Sequence, residues 1–482
     1  MIRIVSSQQM QEWDRAVIEK GTPSLELMDR AAKGLFDAVI RMRTQEETVT
    51  ILIGSGNNGG DGAALAVRLQ KAGVPVRLIS VGNPEKFMAE SAHYWKLAKA
   101  LGVPIASEWQ QTQNELLVDA MFGVGLNRPI TGRYAELIDR MNQSHLKILS
   151  ADLPSGLDAN TGAILGTAVC ATETVSMQFP KIGMLLGKGP ALCGRITVCL
   201  LSDESVPPIG EPMFWQEPED IVPLLPPRPF DSHKGKNGHA LLCAGSKQYI
   251  GAALLCAKAA LRTGCGLLSV CTPDAVRPAF GALPEAITIP TGTEDWNEQA
   301  CKSATAAIDG KQAIGIGCGI GSGNIGSLLS AALQSRKPLV IDADGLNALA
   351  KHPELLSLLH ENVVLTPHPG EMARLMGCST ADVLADPIKA SRLFPCTTLL
   401  KGATTIVHGN GSTLFCTEGT PALSKGGSGD VLTGLITALL AQGLSPFDAA
   451  RTGTYLLGTT AKEAYRLLGE RMLLASDVID AL

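Results

Sequence analysis

Short apolar segments alternate with helical patterns along almost the whole chain, and this alternation most constrains the fold. In the first half, apolar runs predict strands at 49–53, 74–80, 116–122 and 147–153, with a helix at 61–72. In the second half, strands are predicted at 240–244, 267–271, 313–317, 339–342, 363–366 and 399–407, and helices at 252–262 and 345–350. Strands separated by helices form parallel sheets that are covered on both faces. The sequence therefore predicts an α/β protein with two domains.

A proline-rich stretch separates the two halves. Eight of the 28 prolines fall between Pro207 and Pro229, together with four acidic residues. Proline at this density interrupts both helices and strand ladders. We therefore predict a linker or irregular crossover at 206–229, between an N-terminal domain at 1–205 and a C-terminal domain at 230–482.

Composition excludes several classes of protein. The chain is 45% apolar and 18% charged, which is typical of globular proteins, and its net charge of −5 with no basic run argues against nucleic acid as a partner. The first twenty residues lack the apolar core of a signal peptide, and no apolar run approaches the ~18 residues of a membrane span. The twelve cysteines contain no C-x-x-C pair, so we expect free thiols in a cytoplasmic protein. We also expect small-molecule substrates, no membrane partner and a homo-oligomer.

A glycine turn, Gly427-Ser428-Gly429-Asp430, precedes a helical pattern that ends near Gly443, and Ser445-Pro446 opens the next helix. The N-terminus of a helix carries unpaired N–H donors and partial positive charge, so it favours an anion. Asp430 either caps the helix or performs chemistry beside that anion.

Three polar loops of the N-terminal half follow predicted strands. Gly54, Gly56 and Gly59 fit the dinucleotide pattern G-x-G-x-x-G, but the next strand ends without an acidic residue for a ribose, and no Walker A lysine follows. A glycine turn that needs positive φ is the alternative. Asp119 and Asp152 stand at the ends of two further strands, where each could simply cap a turn. Because the carboxyl ends of parallel strands share one edge, we expect the three loops to converge there.

The segments 56–62, 123–126 and 152–156 together resemble the NAD(P)H-hydrate epimerase family, over about residues 5–205. This resemblance implies a Rossmann-like domain of α/β/α layers that interconverts the two C6 epimers of hydrated NADH or NADPH. It implies substrate contacts at Asn57, Asn58, Gly59, Gly60, Asp61, Gly123, Val124, Gly125, Leu126, Asn127, Arg128, Pro129 and Asp152. It also implies a potassium ion (K⁺) held by Asn58, Asp119 and Ser155, whose oxygens suit such a cation, with Asp152 as the acid and base.

Six polar segments mark the C-terminal half, at 234–239, 315–321, 342–347, 366–371, 401–405 and 427–430. Singly, His368 fits a rigid surface loop, Lys401 a solvated lysine and Asp342 a helix cap. In this order the segments resemble the ADP/ATP-dependent NAD(P)H-hydrate dehydratase family, over about residues 230–480, whose fold is ribokinase-like. The resemblance implies hydrate contacts at Ala253, Gly319, His368 and Asp430. It implies nucleotide contacts at Lys401, Gly402, Ala403, Thr404, Thr405 and Gly429, with Mg²⁺ accompanying ADP or ATP.

The chemistry that this second resemblance implies is phosphorylation followed by elimination. Asp430 would take the proton of the C6 hydroxyl, and the N–H groups of the glycine turn would stabilise the transferring phosphoryl group. The sequence departs from the family pattern in two places. The segment 419–425, which ends in Lys425, lacks the asparagine and the pair of small residues that usually precede the glycines, and Cys318 stands where the family's glycine loop has a proline. Lys425 could help to bind the nucleotide or point to solvent.

Two other functions fit parts of the sequence. The C-terminal half could be a ribokinase-like kinase for a small alcohol or vitamin, although a simple kinase needs neither the 366–371 segment nor the attached domain. The N-terminal half could be a binding module without catalysis, although Asp152 argues against this. The fusion of both families, epimerase first, is typical of bacterial bifunctional enzymes and favours ADP over ATP only by analogy.

Overall fold

A computed structural model describes residues 1–202 and 206–482, and its contacts divide the chain into two compact units, Ile2–Glu211 and Pro212–Leu482. The predicted end of the first domain, residue 205, lies outside the described residues. The segment from Pro212 onward differs from the predicted linker, because Met213–Trp215 forms a strand parallel to Ser412–Cys416. The prolines limit this segment to one short strand and two short 3₁₀ turns, but it packs as part of the C-terminal unit.

The N-terminal unit is an α/β sandwich, as predicted. Its helices are Ser7–Glu19, Ser24–Met42, Asn57–Lys71, Ala89–Ala100, Arg133–Gln143, Ile182–Leu185 and Gly189–Leu192, with a 3₁₀ turn at Pro84–Lys86. Its strands are Ile2–Arg3, Thr48–Ile53, Val76–Ser80, Ile105–Ala106, Glu115–Ala120, Ile148–Ala151, Glu173–Met177 and Arg195–Cys199. All of these except the first form a seven-stranded parallel sheet.

This sheet is buried on both faces, which explains its uninterrupted apolar strands. Along Thr48–Ile53, Ile51 and Ile53 pack into one hydrophobic cluster, whereas Leu52 packs into a second cluster on the opposite face. The first two helices, Ser7–Glu19 and Ser24–Met42, were not predicted, and they contribute to the first cluster.

The C-terminal unit is a second α/β sandwich. Its strands are Met213–Trp215, His239–Cys243, Leu267–Thr272, Ile287–Pro290, Ala313–Ile316, Leu339–Ile341, Val363–Leu365, Thr397–Leu400, Thr405–Gly409 and Ser412–Cys416. Its α-helices are Ile250–Thr263, Glu298–Ala306, Gly326–Gln334, Ala343–Lys351, Pro369–Met376, Thr380–Ala385, Pro387–Ser391, Ser428–Ala441, Pro446–Leu468 and Ala475–Asp480. Short 3₁₀ helices occur at Pro218–Asp220, Val222–Leu224, Arg277–Ala282, Pro353–Leu358 and Pro421–Leu423.

The predicted strand at 399–407 is wrong. The chain forms two antiparallel strands there, Thr397–Leu400 and Thr405–Gly409, joined by a turn at 401–404. The turn begins where the Lys401 N–H donates to the Pro367 carbonyl at 2.8 Å instead of continuing the hairpin ladder. An apolar run does not reveal such a break, because both strands are apolar.

The helix after the glycine turn is confirmed. Gly427 precedes Ser428–Ala441 with φ of +99°, a conformation that favours glycine. Ser445 caps the next helix by accepting the Asp448 N–H at 3.2 Å. In the described part of the chain, no helix combines the length and apolarity needed to cross a bilayer.

Candidate active sites

The N-terminal unit contains a cavity of about 1090 Å³ at the carboxyl ends of its parallel strands. The loops after Thr48–Ile53, Glu115–Ala120 and Ile148–Ala151 contribute to its wall, so the predicted convergence is confirmed. The predicted residues that line the cavity are Asn57, Asn58, Asp61, Gly123, Val124, Gly125, Leu126, Asn127, Arg128, Pro129 and Asp152.

Gly59 and Gly60 are buried and do not line this cavity. A β-carbon at Gly59 would collide with the Gly54 carbonyl, and one at Gly60 would lie 2.5 Å from Ser91 Oγ. Neither residue has positive φ, nor do Gly54 and Gly56. Close packing, rather than a left-handed turn, therefore requires glycine at Gly59 and Gly60.

Asn58 lines this cavity, and Asp119 and Ser155 are hydrogen-bonded to each other at the carboxyl edge of the same sheet. Asp119 is fully buried and accepts the Ser155 hydroxyl at 2.6 Å and the Ser155 N–H at 2.8 Å. Burial raises the pKa of Asp119, although the hydrogen bonds from Ser155 oppose the rise. Asn58 is 8% exposed, and its amide oxygen and nitrogen find no hydrogen-bond partner among the described residues. An unpartnered amide oxygen, a carboxylate and a hydroxyl are the kinds of ligand that fit a hard cation.

Asp152 combines a rare backbone conformation with a buried ion pair. Its φ is +66°, unusual for a residue with a side chain. Its Oδ1 is ion-paired with Lys181 and accepts the Met177 N–H at 3.1 Å. Its Oδ2 lies 3.4 Å from the point that a β-carbon on Gly123 would occupy, at the cavity wall. Oδ1 is thus held by the protein, and Oδ2 faces the space available to a ligand.

Lys181 is one residue of this site that was not recognised from the sequence. Its side chain is fully buried and also donates to Ser176 Oγ and to the Met177 carbonyl, both at 3.1 Å. A single lysine after a strand carries little signal on its own. Lys181 follows the strand Glu173–Met177, which pairs with Ile148–Ala151. This position could have indicated that its side chain reaches Asp152.

Two further carboxyl groups, Asp14 and Asp61, line the same cavity. Burial raises the pKa of Asp14 to about 6, with Lys181 opposing the rise and Asp152 adding to it. Burial, reinforced by Asp152 and Asp14, raises the pKa of Asp61 well above its usual value. One ammonium faces three carboxyl groups in this cavity, so the negative charges of Asp152 and Asp14 favour the protonated form of Asp61. Asp14 was missed because its helix was not predicted.

The second site forms along the carboxyl edge of the C-terminal sheet. The strands Thr397–Leu400, Val363–Leu365, Leu339–Ile341 and Ala313–Ile316 are consecutive neighbours in that sheet. The residues that follow them are therefore brought together, in the order Lys401, Thr366 to His368, Asp342, and the loop Gly317 to Gly321. This is the edge at which parallel α/β sheets bind ligands.

Lys401 is a half-buried ion-pair partner and not a solvated lysine. Its Nζ lies 2.8 Å from Asp342 Oδ1 and 3.8 Å from Glu371 Oε2. Burial alone would lower the pKa of Lys401, but Asp342 and Glu371 raise it above its ordinary value. Asp342 makes no cap hydrogen bond to its helix and instead accepts the Thr433 hydroxyl at 2.7 Å.

The Lys401 ammonium lies close to the glycine turn. A β-carbon on Gly429 would stand 3.6 Å from Lys401 Nζ and 3.7 Å from Asp342 Oδ2. A cation and the N-terminus of Ser428–Ala441 therefore face the same space, which is suited to a phosphate group.

Asp430 is half-buried in the first turn of that helix. Burial raises the pKa of Asp430 to about 6, while a hydrogen bond with the Cys318 thiol opposes the rise and Asp342 adds to it. A hydrogen bond with Cys256 and burial raise the pKa of Cys318 far above normal, so it remains a thiol. In place of the family's proline, this chain thus has a hydrogen-bond donor beside Asp430.

His368 caps the helix Pro369–Met376. Its Nδ1 accepts the Gly370 N–H at 3.0 Å, and its Nε2 lies 3.5 Å from Glu371 Oε1. With Nδ1 as acceptor, the neutral ring carries its hydrogen on Nε2. The ring is half-exposed and so is open to a ligand.

The remaining predicted residues have different surroundings. Gly319 has φ of +63°, and a β-carbon there would lie 2.7 Å from that of Ala252, whereas Ala253 is fully buried in the core. Gly402 and Ala403 are exposed in the turn, and Thr405 begins the next strand. Thr404 is buried, and its hydroxyl has no partner among the described residues.

Lys425 forms hydrogen bonds that the sequence did not predict. Its Nζ donates to the carbonyl oxygens of Arg471 and Leu473, at 2.6 and 2.8 Å. It therefore fixes the segment before the last helix, Ala475–Asp480, and its charge is directed at backbone carbonyls.

Comparisons with known proteins identify relatives of both halves. Residues 240–482 match the family model described as NAD(P)H-hydrate dehydratase, and residues 24–183 match that of the YjeF-related protein N-terminus. The chain is 34% identical to the bifunctional NAD(P)H-hydrate repair enzyme Nnr of Coxiella burnetii, covering 99% of this chain and 98% of the relative. It is also 34% identical to the enzyme of the same name from Vibrio cholerae, covering 98% of this chain and 96% of that one.

A solved structure matches the C-terminal unit. The crystal structure of a ribokinase-like superfamily protein from Enterococcus faecalis superimposes with a TM-score of 0.50 and 25% identity. The match covers 56% of this chain and 94% of that protein. The predicted ribokinase-like fold of this unit is confirmed.

Proposed function

This chain belongs to the family of bifunctional NAD(P)H-hydrate repair enzymes, and we propose that each of its two units performs one step of the repair. The N-terminal unit interconverts (R)- and (S)-NAD(P)HX. The C-terminal unit dehydrates (S)-NAD(P)HX to NAD(P)H at the expense of a nucleoside diphosphate or triphosphate. The observation that carries this proposal is that one chain contains two separate sites, each with a carboxylate. In the first, Asp152 lines a ligand cavity, and in the second, Asp430 lies beside an anion site at the start of a helix.

In the N-terminal site, Asp152 moves the proton to and from the C6 oxygen. Lys181 and the Met177 N–H hold Oδ1, which leaves Oδ2 for the substrate. When protonated, the carboxyl of Asp61 in the same cavity can donate a hydrogen bond to the C6 oxygen. Positioned proton transfer of this kind contributes ~10²–10⁴-fold to a rate.

Asn58, Asp119 and Ser155 would hold a potassium ion in this unit. The unpartnered amide of Asn58 supports this assignment, because a cation would satisfy its oxygen. When bound, K⁺ would add a positive charge next to the carboxylates and fix the loops that carry them.

In the C-terminal site, Asp430 accepts the proton of the C6 hydroxyl as that oxygen attacks the terminal phosphorus of the nucleotide. The N–H groups of the glycine turn and the Lys401 ammonium stabilise the transferring phosphoryl group. The ring nitrogen lone pair then expels phosphate as the C6–O bond breaks, and loss of a C5 proton restores the dihydropyridine. With ADP the products are NAD(P)H, AMP and phosphate.

The nucleotide would lie against the turn from Lys401 to Thr405 and Gly429, and the hydrate against Gly319, His368 and Asp430. The buried hydroxyl of Thr404, which has no partner in the described part of the chain, supports a ligand at this turn. Mg²⁺ would enter with the nucleotide, whose phosphate oxygens are its usual ligands. ADP is the expected donor.

We also propose a cytoplasmic homo-oligomer. All twelve cysteines are free and nine are buried, as expected of a protein in a reducing compartment. Light scattering on the purified protein would test the assembly.

The direct test supplies purified protein with NADHX and either ADP or ATP. The dihydronicotinamide absorbance should return, at a rate proportional to the amount of enzyme, with at least one of the two nucleotides. No return with either nucleotide would contradict the proposed dehydratase.

A further inference from the structure

The C-terminal unit has a second cavity, of about 390 Å³, beside its candidate active site. It lies between the glycine loop after Ala313–Ile316 and the helices Ala343–Lys351 and Pro369–Met376. The residues that line it are Gly321, Asp344, Asn347, Ala350, Lys351 and Arg374. None of them was predicted to contact a ligand individually.

The cavity has an excess of positive charge. Arg374 Nε donates to Asn347 Oδ1 at 2.9 Å, which orients the guanidinium. In the described ranges, neither Arg374 nor Lys351 forms an ion pair with a carboxylate. The one carboxylate of the lining, Asp344, already accepts the Gly321 N–H at 2.7 Å. Two cations face one engaged carboxylate, so the cavity favours an anion.

A buried hydroxyl next to the cavity also lacks a partner. Ser246 is 3% exposed, and its Oγ has no hydrogen bond within the part of the chain described. It lies 3.5 Å from the point that a β-carbon on Gly321 would occupy. Buried hydroxyl groups are nearly always hydrogen-bonded, so this one leaves an unsatisfied donor behind the glycine loop, although Ser246 itself does not line the cavity.

The cavity adjoins the residues proposed to contact the hydrated ring. Gly321 follows Gly319 by two positions. On the other side of the cavity, His368 and Arg374 both lie close to Gly370. His368 Cε1 is 2.9 Å, and Arg374 Nη1 is 4.0 Å, from the point that a β-carbon on Gly370 would occupy. A dinucleotide whose nicotinamide ring lies against Gly319 and His368 therefore reaches this cavity with its diphosphate, the group that follows the first ribose.

We propose that this cavity binds the diphosphate of the hydrated dinucleotide, with Arg374 and Lys351 as its ligands. The inference rests on the proposed dehydratase. A planar guanidinium can bind two phosphate oxygens at once, and an ammonium supplies a second charge. The diphosphate is common to NADHX and NADPHX, so the site serves both forms and does not discriminate between them.

The test measures KM and kcat of the full-length enzyme with each hydrate, for wild type, Arg374→Gln, Arg374→Lys and Lys351→Gln. Because a hydrogen bond to a charged group is lost, Arg374→Gln should raise KM about tenfold or more for NADHX and NADPHX alike, at nearly constant kcat. Arg374→Lys should restore part of this loss. Lys302→Gln, an exposed lysine on Glu298–Ala306, is the matched control and should behave as wild type.

Each failure has a distinct signature. A wild-type enzyme that turns over neither hydrate would contradict the proposed function itself. A wild-type enzyme that is active, with Arg374→Gln leaving both KM values unchanged, would overturn the diphosphate site alone. An increase confined to NADPHX would assign the cavity to the 2′-phosphate, and an increase in KM for ADP would assign it to the nucleotide; either result overturns the proposal.

Discussion

Asp152 and Asp430 lie in different electrostatic surroundings, although we assign proton transfer to both. The Oδ1 atom of Asp152 is ion-paired with Lys181, an ammonium group with no exposed surface. Asp430 forms no ion pair with any residue that the structure describes, and burial raises its pKa to about 6. The first carboxylate is therefore fixed in position, whereas the second has a proton affinity close to that of a general base working near neutral pH.

The raised pKa of Asp430 predicts the pH dependence of dehydration. Asp430 must be ionised to accept a proton, so kcat/KM should fall about tenfold per pH unit below about pH 6. A buried carboxyl with a raised pKa is more stable when protonated, so acid stabilises the fold at this residue as activity falls. Initial rates between pH 5 and 8 at saturating nucleotide would show this limb. A profile flat to pH 5 would contradict the role of Asp430.

Lys181→Met should destabilise the N-terminal unit and abolish epimer exchange. Removing one partner of a buried ion pair leaves an unpaired charge, which costs about 3–5 kcal/mol. Urea unfolding would measure the stability loss. As control, Asp152→Asn combined with Lys181→Met should recover much of the stability without the activity, because neither member of the buried ion pair then remains without its partner. If Lys181→Met unfolded at the same urea concentration as the wild type, the ion pair would not contribute to the stability of this unit.

At the scale of elements, the two central helices of the C-terminal unit approach closely. The glycine-turn helix, Ser428–Ala441, packs on Ile250–Thr263, and Gly434 is the contact point. A β-carbon at Gly434 would collide with the Cys256 carbonyl, which is backbone and cannot rotate away. This contact sets the position of the helix that carries Asp430.

Gly434→Ala should therefore destabilise the C-terminal unit, by about 1–3 kcal/mol as for other overpacked cores. Gly251→Ala is the matched control: it lies on the partner helix, and nothing stands within 4 Å of its β-carbon position. Since alanine favours the helix, this control should be neutral or slightly stabilising. Thermal unfolding would measure the stability of both variants, and an equal loss of stability in the two would contradict the packing role of Gly434.

Elements with strong local signals could be predicted from the sequence. Apolar runs located most strands, and the glycine turn located the start of Ser428–Ala441. The break at Lys401 could not be predicted, because it depends on a hydrogen bond to Pro367 and on an ion pair with Asp342, both distant in sequence. Lys181 was missed because a single lysine after a strand carries little signal, and Asp14 was missed because its helix, Ser7–Glu19, was not predicted.

At the scale of the whole molecule, the chain contains two compact units, each with its own sheet and its own site. Sequence resemblance identified both families, and the full-length match to bifunctional relatives supports the same assignment. The central claim is that each unit performs one reaction with one carboxylate.

The most direct test compares Asp152→Asn and Asp430→Asn in the full-length protein, with both activities measured on each. Epimer exchange is followed by chromatographic separation of (R)- and (S)-NADHX, and dehydration of (S)-NADHX by the returning NADH absorbance. Asp152→Asn should lose epimer exchange and keep dehydration, and Asp430→Asn should show the reverse. If both substitutions reduced both activities to the same extent, the assignment of two independent sites would be wrong.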